Sequence, residues 1–92
     1  MSDGDVFLRC HYNTRGLPEA LEEVRAELDR QFEKWGRQDH DDLRWLAILA
    51  EEVGEASQAI LQDSDVGPEV TQVAAVAINW LAAILRREGK LT

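Results

Sequence analysis

From Val73 to Leu85 the chain reads VAAVAINWLAAIL, thirteen residues in which Asn79 is the one plainly polar side chain. Thirteen residues are too few to cross a bilayer, which takes about 20. The run therefore predicts a helix apolar almost all round. Two further helices of a 92-residue chain can hardly cover such a helix on every side, so a second copy of the chain is expected to supply the rest. Upstream, Pro68 suits the first turn of this helix. Downstream, Arg86 and Arg87 suit its last turn, where cations meet the negative end of the dipole, and the helix is expected to stop near Glu88 or Gly89.

Working back, the run Asp63-Ser64-Asp65-Val66-Gly67-Pro68 breaks an earlier helix predicted from about Leu43 to Leu61. Before it, residues 37–42 form a polar connection with an N-cap at Asp41 or Asp42. Leu21, Val24, Leu28, Phe32 and Trp35 recur at threes and fours, which predicts an amphipathic helix from Leu17-Pro18 to Gly36. Residues 1–16 lack any period beyond a few alternating positions near Val6 and read as a loose arm. The expectation is one all-α domain over residues 17–92, with three main helices per chain. Oligomerisation, as a homodimer or homotetramer, would complete a core like that of a four-helix bundle.

Composition narrows the function. Eighteen Asp+Glu against ten Lys+Arg give a net charge of −8, which argues against a nucleic-acid polymer as partner, because phosphate-backbone affinity rests on clustered Lys and Arg. A hydrophobic content of 45% excludes a disordered acidic segment. The single cysteine, Cys10, rules out an intramolecular disulfide framework, and Cys10-His11 alone does not make a metal site. The opening MSDGDVFLRC has neither a basic n-region nor an apolar h-region. A cytoplasmic protein with no membrane segment is expected.

The helix predicted over residues 43–61 carries the first chemistry. At about 100° per residue, Leu46, Leu49, Val53, Ala56 and Ile60 share one face, read as the core stripe. Glu52 and Glu55 are neighbours on a second face, beside Trp45, Ile48 and Ala59. Glutamates at this spacing are common on solvated helices. Set among apolar groups, however, two carboxylates repel and lose hydration, and a hard cation such as Mg²⁺ compensates by taking their oxygens as ligands. On the next helix Glu69, Gln72, Val76, Asn79 and Ala83 share a face, and Glu69 and Gln72 repeat the i, i+3 spacing. Two helices, each offering an oxygen pair, can close around one cation. Glu69 is equally explained by the helix dipole, Gln72 by a hydrogen bond across a helix interface. Asn79, a lone amide in an apolar run, needs a partner: either a register-setting contact between subunits or a bound substrate.

In these residues the chain resembles the all-α nucleoside triphosphate pyrophosphohydrolases of the MazG-like group, relatives of the dimeric dUTPases. That family carries EExxE, then ExxD on the following helix, then an Asn about two turns on. Glu51-Glu52-Val53-Gly54-Glu55 matches the first half, Glu69-Val70-Thr71-Gln72 the second except for its final acid, and Asn79 the downstream Asn. Phe32 to Gly36 and Trp45 to Leu49 also have the family's look, and the resemblance spans about residues 20–86. It implies Mg²⁺-dependent (or Mn²⁺-dependent) cleavage of a nucleoside triphosphate, canonical or damaged, to the monophosphate and pyrophosphate. It implies Glu52, Glu55 and Glu69 as metal ligands with Gln72 at the fourth position, and Glu51 orienting or deprotonating the attacking water.

Trp35, Trp45 and Trp80 offer stacking surfaces for a base and His40 a hydrogen-bonding ring, though packing explains each as well. Arg37, Arg44, Arg86, Arg87 and Lys90 are the cations at hand, each readable as a solvated surface charge. Gln72 departs from the family pattern, removing one negative charge and leaving a neutral oxygen donor. The alternative is a non-catalytic nucleotide-binding or oligomeric interaction module on the same scaffold.

Overall fold

Three helices account for the secondary structure of residues 15–91, the part of the chain that the computed structural model describes. No strand occurs among the described residues. The arm expected over residues 1–16 lies outside them up to residue 14, as do Val6, Cys10 and His11.

Each helix boundary has a local cause. Gly16, in the left-handed region at φ 89°, leads into α1 (Leu17–Trp35), and Pro18 sits in its first turn, where the missing N–H has no intrahelical acceptor in any case. Gly36 closes α1 at φ 71°, its N–H donating to the Phe32 carbonyl at 2.7 Å. The second helix, α2 (Asp42–Leu61), is capped by Asp41, whose carboxylate accepts the Arg44 N–H at 2.8 Å. The third, α3 (Gly67–Arg87), begins one residue before Pro68, with the Asp65 carboxylate accepting the Gly67 N–H at 3.0 Å.

The apolar helix α3 is the centre of the fold. Both α1 and α2 pack on it, and among the described residues neither makes a close backbone approach to the other. The buried apolar side chains are Val24 from α1, Trp45 and Ala59 from α2, and Ala75 and Val76 from α3. Arg86 and Arg87 do more than complement the dipole. Arg86 pairs with Asp39 at 3.3 Å and Arg87 with Asp42 at 3.1 Å. The Trp80 indole N–H donates to the same Asp42 carboxylate at 3.0 Å. These contacts tie the end of α3 to the start of α2.

The face expected to be the core stripe of α2 is turned away from the chain's own core. Leu46, Val53 and Ile60 are 51%, 47% and 66% exposed, and Leu49 and Ala56 are half-buried. Trp45, at 1% exposure, and Ala59 point inward instead. Helical periodicity identifies two apolar sectors on α2 but carries no information about which one meets α3. The tertiary fold turns the sector holding Glu52 towards α3 and leaves the Leu46–Val53–Ile60 sector open.

Nor is α3 covered all round, since Val70, Ile78 and Leu81 are exposed. Its 21 residues are long and apolar enough to cross a membrane by length and composition. The Cα radius of gyration, 16.0 Å, exceeds the roughly 12 Å of a compact chain of this length. The three helices make an open, flat arrangement whose apolar surfaces are incompletely satisfied.

Candidate functional site

Glu52 and Glu55 stand one turn apart on α2, and Glu69 stands in the first turn of α3, which returns against α2. One carboxylate oxygen from each lies within 4.8 Å of the others. Glu52 and Glu69 are half-buried and Glu55 exposed. None of the three forms an ion pair among the described residues. Glu52 Oε2 is buried and accepts no hydrogen bond among the described residues, an unusual condition for an oxygen that as a carboxylate seeks several donors. Burial, then the negative charge of Glu55, and further those of Glu69 and Glu51, push the Glu52 carboxyl above its ordinary range.

Three convergent carboxylates, one with a stranded buried oxygen, could hold a metal ion. The all-oxygen donor set fits a hard divalent cation of the Mg²⁺ or Mn²⁺ type. The four residues from which the sequence predicts a metal shell are thus divided: three glutamates converge, and Gln72 is engaged elsewhere. Glu51 is exposed on α2 beside the cluster.

Glu52 also lines a cleft of about 300 Å³ between α1 and α2, with Gln72 and Val76 of α3 contributing to its lining. Trp35, His40, Arg44 and Ile48 form much of the rest. His40 meets the Trp45 ring edge-on, centroids 4.8 Å apart at 70°. Trp45 itself is buried and cannot stack on a ligand, and Trp80 is committed to Asp42. Of the three tryptophans, only Trp35 presents open surface to this cleft, at 55% exposure, with the Lys34 ammonium 4.6 Å from its ring centroid. Among Arg37, Arg44, Arg86, Arg87 and Lys90, Arg44 alone lacks an ion pair among the described residues. It lines the cleft on the same helix as Glu52, two turns away.

Gln72 and Asn79 belong to a second polar cluster, which joins α1 to α3. The Glu27 carboxylate, 12% exposed, accepts from Arg30, at 2.6 Å for the closer contact. Its Oε2 also accepts from Gln31 Nε2 at 2.9 Å and from Gln72 Nε2 at 2.8 Å. Gln31 Nε2 also donates to Gln72 Oε1 at 3.0 Å, and Asn79 Nδ2 donates to Gln31 Oε1 at 3.4 Å. The Arg30 contact, with the two amides, holds the Glu27 carboxyl below its ordinary range against the opposing effect of burial. Asn79 therefore finds its partner within the chain, in a small cavity of about 230 Å³ shared with Gln31, Gln38 and Arg86.

Glu27 and Gln31 are absent from the sequence-based site. For Gln31 a signal exists: it falls seven residues after Val24, on the apolar stripe formed by Val24, Leu28 and Trp35. A polar residue on an apolar stripe calls for a buried partner. Compared with protein-family models, with curated proteins and with solved structures, the chain matches none.

Proposed function

We propose that this chain is a divalent-cation-dependent nucleoside triphosphate pyrophosphohydrolase of the MazG-like kind, a cytosolic enzyme that clears canonical or damaged nucleotides. The observation that carries the reading is the glutamate cluster, three carboxylates within 4.8 Å of one another, with Glu52 Oε2 buried and unpartnered among the described residues, at the edge of the cleft of about 300 Å³. Glu52, Glu55 and Glu69 would hold Mg²⁺ or Mn²⁺. The bound cation supplies charge neutralisation at the phosphates and lowers the pKa of water. Glu51 orients the attacking water and accepts its proton as the water oxygen bonds to the α-phosphorus. The bond from that phosphorus to the bridging oxygen of the β-phosphate breaks, and pyrophosphate leaves. Arg44 supplies a positive charge to the triphosphate, while Trp35 and His40 flank the base. Positioning and charge compensation of this kind are most of what phosphoryl chemistry asks of a protein.

The oligomeric part of the reading is supported by the open apolar surface. Leu46, Val53 and Ile60 on α2, with Ile78 and Leu81 on α3, are exposed in one chain, and a second copy packed there would complete a bundle-like core in a homodimer or homotetramer. Val53→Lys is expected to shift the mass measured by light scattering to that of a monomer while leaving the helical circular-dichroism signal in place.

The test of the activity is pyrophosphate release from a nucleotide panel with Mg²⁺ and with Mn²⁺. Release that disappears in Glu52→Gln is expected, and no release from any nucleotide with either metal overturns the enzyme. A second reading, a non-catalytic nucleotide-binding or oligomeric module, is favoured by one observation: the Gln72 oxygen already accepts from Gln31. A rise in melting temperature with nucleotide and Mg²⁺, without pyrophosphate release, would select it.

A further inference from the structure

The Glu27 cluster explains why a glutamine stands at position 72. Glu27 is an acceptor only, so each amide nitrogen near it must point towards it. That requirement orients Gln72, with Nε2 on Glu27 and Oε1 on Gln31, and it orients Gln31, whose oxygen is left to accept from Asn79. One carboxylate therefore sets the direction of the amides across the α1–α3 contact. An acid at position 72 would replace the 2.8 Å donation from Gln72 Nε2 with a second acceptor-only group against Glu27, leaving Gln31 Nε2 as the one amide donor shared by two carboxylates.

We propose that Glu27, on α1, is the carboxylate that fixes Gln72 in place, and that Gln72 is a positioning residue held by Glu27 and Gln31 rather than a fourth metal ligand. The proposal rests on the pyrophosphohydrolase reading for the identity of the metal site, but its hydrogen-bond part stands without it. The metal shell of this chain is then three glutamates, and Glu27 works as the clamp that docks α1 beside the cleft. Because Trp35 stands near the end of α1, the clamp also sets one wall of that cleft.

The experiment is a charge-swap cycle with two readouts, melting temperature without metal and Mn²⁺ affinity by calorimetry, on the full chain. Glu27→Gln and Gln72→Glu are each expected to lower Tm by roughly 5–10 °C, and the double variant to recover most of the loss, because one carboxylate again faces amide donors. Gln72→Ala is expected to leave Mn²⁺ affinity within about twofold, whereas Glu52→Gln weakens it by at least about tenfold. Additive losses of Tm in the double variant overturn the clamp. A weakening of about tenfold or more in Gln72→Ala, or tighter Mn²⁺ binding by Gln72→Glu with no loss of Tm, overturns the positioning role and restores Gln72 to the shell. Should Gln72→Glu fail to fold, refolding on addition of Glu27→Gln supports the clamp and failure to refold overturns it. Wild-type protein that binds no Mn²⁺ defeats the metal reading instead, and the Tm cycle still decides the clamp.

Discussion

The two acidic clusters along α3 contrast in how their charges are satisfied. Around Glu27, a single charge accepts from a guanidinium and two amides. Around Glu52, three carboxylates share a small space with no donor on Glu52 Oε2. Both lie at helix–helix contacts and both are partly buried, so burial does not separate them. Saturation does. A carboxylate whose acceptors are filled stabilises the fold, while a cluster short of positive charge costs stability until something binds. The first kind holds helices in place, and the second is where chemistry is to be sought.

Removing one charge from each cluster should therefore act in opposite directions. Glu52→Gln is expected to lower metal-dependent pyrophosphate release by at least roughly 100-fold while leaving the metal-free protein as stable as wild type or more so. Glu27→Gln should lower Tm. If Glu52→Gln also destabilises the metal-free protein, the contrast between the clusters collapses.

A divalent cation sharpens the comparison from the other side. At a hundred times its Kd, Mn²⁺ is expected to stabilise the wild-type chain by about 2.7 kcal/mol, read as a rise in Tm. The rise should persist in Gln72→Ala and vanish in Glu52→Gln. An equal rise in Glu52→Gln would mean that the cation binds outside the three-glutamate cluster.

Acid should separate the clusters again, since the two shifts have opposite signs. Glu27 is held below its ordinary range, so its native state binds fewer protons than the unfolded chain. Its stabilisation is present above the ordinary value of about 4.3 and is lost as pH falls through the depressed value. Glu52 is pushed above that range. Its unfavourable contribution holds at neutral pH and is relieved as pH falls through the raised value towards 4.3 or so. Denaturation curves of Glu27→Gln should thus lose part of the acid limb, and those of Glu52→Gln should flatten above it. The same limb in both variants would show that neither shift is coupled to folding.

The smallest effect is a reference for scale. Asp41→Ala removes the α2 cap away from both clusters and is expected to cost about 1 kcal/mol, with Mn²⁺ affinity unchanged. A change in affinity would mean that the start of α2 is part of the site.

Much of this was legible in the residues. Pro18, Gly36, Asp41 and Pro68 mark helix ends by backbone chemistry that acts within one turn, and the observed boundaries lie within a residue or so of those expected. The spacing of Glu52 and Glu55 placed both on one face, because 100° per residue is a local rule. Gln72 was harder to read. Its place in the i, i+3 pattern is identical for a ligand and for an amide turned the other way, and only the approach of α1 shows which. Glu27 and Gln31 lie more than forty positions from Gln72 in the chain, and no rule of helical spacing connects residues that far apart.

The chain by itself determined three helices, their ends, and the glutamates that α2 and α3 carry, since each depends on neighbours within a turn or two. Tertiary structure decided which face of α2 meets α3, that Trp45 is core, and that Gln72 and Asn79 answer to Glu27 and Gln31. Those choices depend on long-range packing and on where a buried charge finds its donors, and no local period encodes either.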